Sequence, residues 1–123
     1  MFEWKNLAPG LVRQRVIIEC TTTTLVGPED IKRYLSELSR VVKMHPLSEP
    51  CAYPATSPSG KFMGWGGWIH WVTSGAHVYS YTTEPFLFTV DAYTCKPFSI
   101  EAAAEFTKKF FKTLTLVYKE VDI

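Results

Sequence analysis

No apolar run in the sequence approaches the roughly 20 residues that a membrane-spanning helix needs, and the opening MFEWKNLAPG lacks the charged-then-apolar plan of a secretory leader. Charge of one sign is scarce too. Thirteen Lys and Arg stand against twelve Asp and Glu, a formal net charge of +1, so no strong field exists to gather phosphate or anionic lipid. Nucleic acid and membranes are therefore poor candidates as partners. Cysteine is limited to Cys20, Cys51 and Cys95, odd in number, far apart and never in a CxxC spacing. That pattern argues against a disulfide framework and for a reducing compartment, read as the cytoplasm. Neither the cysteines nor His45 and His70 show metal-ligand spacing, so no metal is expected. The glycine-based motifs GxGxxG, GxxxxGK and GxSxG are all missing.

What is present is a chain of 123 residues, 46% hydrophobic and 20% charged, enough to bury one sizeable core in one domain spanning residues 1–123. Arg13 to Thr21 is rich in β-branched residues and reads as a central strand, although its apolar core does not alternate cleanly. Gly27-Pro28-Glu29-Asp30 then gives a stop, a proline suited to the first helical position and two acids that favour a helix N-terminus. Ile31, Leu35, Leu38, Val41 and Val42 recur at helical spacing, so the sequence predicts a helix ending near Lys43. Pro46, Pro50, Pro54 and Pro58 make Met44 to Lys61 a long loop with room for one short strand, at a sheet edge. Three antiparallel strands are expected at Gly67 to Thr73, His77 to Thr82 and Phe86 to Ala92. Ser99 is a candidate N-cap for a second helix carrying Ala103, Phe106, Phe110 and Phe111, and Leu114 to Val121 closes the chain as a strand.

This order fits an α+β class: a two-layer α/β sandwich with a mainly antiparallel sheet and two helices on one face. The strands between Gly67 and Ala92 carry large side chains at even positions (Trp68, Val72, Val78, Phe88) and at odd ones (Ile69, Trp71, Tyr79, Tyr81, Leu87). Both faces of the sheet therefore want burial. A second copy is the natural cover for the face the helices leave open, which predicts a homodimer.

The most specific stretch is GAHVYSYTTEPFLFTVDAYTC, Gly75 to Cys95. It resembles the signature of the small prokaryotic S-adenosylmethionine decarboxylases. There a Glu-Ser-His triplet precedes a strand ending in His-Thr-Trp-Pro-Glu and a Val-Asp-x-Phe-Thr-Cys stretch. His77, Thr82, Val90, Asp91, Tyr93, Thr94 and Cys95 match in order, with one residue lost near Glu84-Pro85. The opening strand with Glu19, both helices and the closing strand fall at the family's positions, so the resemblance spans nearly the whole chain. A longer segment before Gly75 is the main discrepancy.

Family members build a pyruvoyl cofactor from their own backbone, by attack of a serine hydroxyl on the preceding carbonyl. Here Ala76 occupies the position of that serine, and alanine has no nucleophile. Gly75 replaces the preceding glutamate. Tyr81 replaces the processing histidine, and a phenol with a pKa near ~10 is a poor base at neutral pH. The resemblance thus implies a divergent member with no pyruvoyl group. It marks Cys95 as the counterpart of the family's proton donor, with His77 and Tyr81 as further catalytic candidates. Two of these have an ordinary alternative: Cys95 as a small buried residue, His77 as a hydrogen-bonded residue at a strand start. For ligand binding the resemblance points to Glu19 on the first strand and to aromatic rings such as Trp68 and Trp71 holding an adenine, core or dimer packing being the alternative for the rings.

Three functions follow as expectations. The first is a non-catalytic ligand-binding or regulatory subunit for an S-adenosyl or polyamine-type ligand, as a homodimer or as a heterodimer with an active paralogue. The second is an enzyme using the same pocket for pyruvoyl-free chemistry through Cys95, His77 or Tyr81. The third is self-cleavage at another hydroxyl, Ser74 or Ser80, which would need a slip of strand register.

Overall fold

The computed structural model describes residues 1–123. Its elements run β1 (Gln14–Thr22), α1 (Pro28–Val41), β2 (Cys51–Thr56), β3 (Phe62–Trp71), β4 (Ser74–Tyr81), β5 (Phe86–Thr94), α2 (Ile100–Phe111) and β6 (Leu116–Val121). The six strands form one sheet in the order β2-β3-β4-β5-β1-β6, with every neighbouring pair antiparallel. Consecutive hairpins build β2 to β5. β1 then lies between β5 and β6, so the opening segment is an interior strand, as its composition predicts. Its imperfect alternation also has a cause. Val16, Ile18 and Cys20 are buried on one face, while Ile17 adds an apolar residue to the other.

Both helices cover the same face. α1 starts with Pro28 in its first turn, followed by Glu29 and Asp30, and buries Ile31, Tyr34, Leu35 and Leu38. α2 is capped by Ser99, whose hydroxyl accepts from the Ala102 N–H at 3.1 Å, and ends at Lys112 in a left-handed conformation. The two helices meet around Tyr34. Its ring lies 5.2–5.4 Å from Phe88, Phe106, Phe110 and Phe111, and its hydroxyl shares a 2.8 Å hydrogen bond with Thr107. Complete burial pushes that phenol well above its ordinary range.

The third strand is longer than the sequence predicts, beginning at Phe62 instead of Gly67. Gly64, Gly66 and Gly67 argue against a strand by propensity, yet pairing to β2 and β4 and packing beneath α1 override it. At Gly67 a Cβ would sit 2.6 Å from Ile31 Cγ2 and 2.8 Å from the Cys51 carbonyl oxygen. Only glycine lets α1 approach the sheet here. The edge strand β2 carries Pro54, as expected of an edge.

Register sorts the large side chains between faces. Ile69, Trp71, Val78 and Phe88 point to the helices and are buried, whereas Trp68, Tyr79, Tyr81 and Leu87 lie on the face without helices. Val72 belongs to neither, being half-exposed beyond the end of β3. No helix is long and apolar enough to cross a membrane.

Candidate functional site

The uncovered face of the sheet is built by alternation. Along β4, Ala76, Val78 and Ser80 are buried under the helices, so His77, Tyr79 and Tyr81 emerge on the opposite side. Pairing sets His77 directly between Trp68 on β3 and Asp91 on β5. One row further along, His70, Gly75, Tyr93 and Arg15 are cross-strand neighbours. These two rows enclose a cleft of about 470 Å³ lined by Trp68, His70, Ser74, His77, Asp91 and Tyr93. It presents an indole, two imidazoles, a carboxylate and two hydroxyls to one space, with Gly75 and Ala76 along its wall.

Aromatic contacts continue around it. Trp68 stacks on Tyr53 at 5.4 Å, His77 meets Tyr79 edge-on at 4.8 Å, and the Arg15 guanidinium lies 4.1 Å above the Tyr93 ring. Beyond Ser74 a second, smaller cleft of about 290 Å³ is lined by His45, Thr73, Ser74, Cys95 and Lys96. Here the Cys95 thiol donates to the Thr73 carbonyl at 2.9 Å and lies 3.7 Å from the Tyr93 hydroxyl. That thiol contact holds the half-buried Tyr93 phenol above its usual range. Thr73 itself has φ 66, a left-handed turn conformation uncommon for a β-branched residue.

Of the residues singled out from the sequence, Trp68 and His77 share the first cleft. Cys95 lines the second, and no hydrogen bond joins it to His77; its partners are Thr73 and Tyr93. A Cys-His nucleophile pair is therefore not assembled. Tyr81 closes β4 on the open face, 40% exposed and 6.3 Å from the Tyr79 ring. Glu19 also faces that side from β1, where the Thr89 hydroxyl donates to it at 2.8 Å, but it does not line the cleft.

Trp71 is a correction. It is 1% exposed on the helix-covered face, with Nε1 donating to the Ser39 hydroxyl at 2.8 Å, so it is core and out of reach of a ligand on the open side. It lies three positions after Trp68, an odd offset, which on a strand sends two rings to opposite faces. Sequence reasoning passed over His70, Asp91 and Tyr93 as lining residues. Once Phe88, Val90 and Ala92 are assigned to the core, period-2 alternation along β5 sends Asp91 and Tyr93 to the other side.

The residue that the resemblance sets at the cleavage-serine position can be located in the sheet. Ala76 is paired with Ile69 and Ala92, 4% exposed, its methyl on the helix-covered side. A pyruvoyl group does not fit the residues present, because the Ala76 methyl carries neither the nucleophile for the acyl shift nor the leaving group whose elimination opens the way to the ketone. Ser80 is committed elsewhere, donating to the Val26 carbonyl at 2.8 Å in the core. Ser74 stands at the rim with only a long 3.5 Å contact to the Val72 carbonyl.

No family model and no curated protein matches the chain. A solved structure does: the adenosylmethionine decarboxylase from Aquifex aeolicus VF5 superposes with a TM-score of 0.64 at 16% identity, over 90% of this chain and 89% of that one. At such low identity the likeness is one of fold, and the chain folds as that decarboxylase does.

Proposed function

We propose that this protein is an S-adenosylmethionine decarboxylase-like chain that does not process itself by the usual route. It would serve as a non-catalytic ligand-binding or regulatory subunit linked to S-adenosylmethionine or polyamine metabolism. The observation that carries this reading is Ala76 in place of the cleavage serine, within a sheet whose fold is that of a decarboxylase. Gly75 supports it further. A Cβ at that position would lie 2.8 Å from the Ile69 carbonyl oxygen, so the glutamate of the family signature would force the backbone apart. That contact supports a departure from the signature that extends beyond one side chain.

The cleft beside Trp68 and His77 is the proposed ligand site, and it is open to solvent on the face without helices. The unpartnered aromatic face favours assembly as a homodimer, or as a heterodimer where an active paralogue is made, in the cytoplasm. Pyruvoyl-free catalysis is the less favoured reading, since Cys95 and His77 line separate clefts.

Two measurements test the proposal. Intact mass should give one uncleaved chain of 14.0 kDa with no hydrazine-reactive ketone. A ligand that binds only the folded state raises its stability, so S-adenosylmethionine, its decarboxylated form or a polyamine should raise the melting temperature. Detection of a pyruvoyl-blocked fragment would sink the non-processing reading, and absence of any shift with all three ligands would sink the ligand class.

A further inference from the structure

The first twelve residues, Met1 to Val12, belong to no helix or strand and expose Phe2, Trp4, Leu7, Leu11 and Val12, with Trp4 at 69%. The root of this arm is nevertheless tied down. The Leu11 N–H donates to the Ala8 carbonyl at 3.0 Å, and Asn6 Oδ1 accepts from both the Ala8 N–H and the Arg13 guanidinium. What stands free is Met1 to Lys5, in which Phe2 and Trp4 alternate with Glu3 and Lys5. An extended segment of that pattern presents two rings on one edge and a charge pair on the other.

The open face of the sheet offers the complement. It exposes Tyr53 and Tyr79, with Trp68 half-buried among them, beside Asp91 and Arg15, and neither charge has an ion-pair partner, since every salt bridge in the molecule lies within α1. Glu3 and Lys5 are likewise unpaired. The arm leaves the sheet at Gln14, next to the row of Arg15, Tyr93, Gly75 and His70 that borders the cleft. Yet it does not lie on its own cleft, because Phe2 and Trp4 are exposed to solvent.

We infer that the arm of a second copy completes this cleft: Phe2 and Trp4 of one protomer pack over Trp68 and Tyr93 of the other, with Lys5 toward Asp91 and Glu3 toward Arg15. Five extended residues reach about 17 Å, more than the roughly 10 Å between facing sheets, so the span is available. The exchange would bury rings that a lone copy leaves in water and supply a wall that the cleft lacks. It rests on the paired-copy assembly proposed above.

The test compares the full chain with Phe2→Ser/Trp4→Ser by sedimentation across micromolar concentrations. It adds photo-cross-linking from a photoreactive phenylalanine at position 2 in mixtures of light and ¹⁵N-labelled copies. The expected result is a wild-type dimer, at least tenfold weaker in the double variant, with light-to-heavy cross-links into β3 to β5. A dimer of unchanged affinity in the variant overturns arm exchange and leaves the dimer standing. A monomeric wild type overturns both, and cross-links confined to one copy show the arm folding onto its own chain, which also overturns the exchange. Ligand-induced thermal shifts of the variant report on the ligand reading separately.

Discussion

The two faces of the sheet are made from the same strands and nearly the same residue types, yet they do different work. Beneath the helices, Trp71, Tyr34 and Phe88 have lost almost all contact with water, and their polar atoms are paired: Trp71 Nε1 with Ser39, the Tyr34 hydroxyl with Thr107. On the open face Trp68 stacks on Tyr53 and the Tyr79 and Tyr81 rings lie 6.3 Å apart, but Asp91, His77 and Arg15 stand among them without ion-pair partners. A face whose polar atoms are satisfied is finished as a core. One that mixes rings with unpaired charges is poised to receive something.

The sharpest way to break this contrast is to truncate one tryptophan on each side. Trp71→Ala should cost about 3–5 kcal/mol of unfolding free energy, since it opens a cavity in the core and removes the donor to Ser39. Trp68→Ala should cost about 1 kcal/mol or less in the isolated chain while abolishing any ligand-induced thermal shift, because its half-buried ring stacks on the exposed Tyr53 and lines the cleft. Urea titration of both variants decides it. Equal losses would mean that the open face is as much a core as the covered one.

Introducing the Glu-Ser pair of the signature that the sequence resembles, Gly75→Glu with Ala76→Ser, comes next in size. The new Cβ at position 75 meets the Ile69 carbonyl oxygen at 2.8 Å, and a hydroxyl at 76 enters the apolar layer between Ile69 and Ala92. A loss of about 1–3 kcal/mol is expected from this overpacking, with no self-cleavage by intact mass. Ala76→Ser alone should also remain uncleaved, because Tyr81 and Gly75 still depart from the signature. Rapid cleavage of either variant would show that the serine was the one missing part.

Ser39→Ala probes the same covered face more gently. The Ser39 hydroxyl accepts from Trp71 Nε1 and donates to the Leu35 carbonyl, so its removal leaves a buried N–H unpaired at a cost of about 1–3 kcal/mol. A change within experimental error would mean that water or a shifted ring supplies the partner.

The layer plan and most of the helix boundaries were legible in the sequence because they depend on local signals. Pro28 with Glu29 and Asp30, Ser99 as a cap, and the Ile31 to Leu38 periodicity each act within one turn of helix. Assigning residues to faces was harder. It requires strand register, and register here is fixed by pairings such as Gly67 with Val78 and by the close approach of Ile31 to Gly67, neither of which is local. Hence the sequence alone groups Trp71 with Trp68 although they lie an odd three positions apart. The cleft has the same origin: His77, Asp91 and Tyr93 come from two strands, and only pairing sets them side by side.

Cysteine provides the finest comparison of the two sides. Cys20 is buried against the helices, and burial pushes its thiol from an ordinary 9.0 up to about 11, whereas Cys51 and Cys95 are partly exposed. Below pH 9 the Cys20 thiol is protonated in both folded and unfolded chains and contributes nothing to pH dependence. Between pH 9 and about 11 the unfolded chain releases this proton while the folded chain keeps it. The unfolded state then binds fewer protons, so stability falls as pH rises through this window and levels off above it. Tyr34 adds a fall of the same sign at higher pH, for the same reason. The readout is therefore the difference in urea midpoint between wild type and Cys20→Val across pH 8 to 11, which should narrow in the alkaline range as the wild type loses its advantage. At pH 8 a thiol reagent should modify Cys51 and Cys95 well before Cys20. Labelling of Cys20 at a comparable rate would place water under the helices and erase the distinction between the two faces.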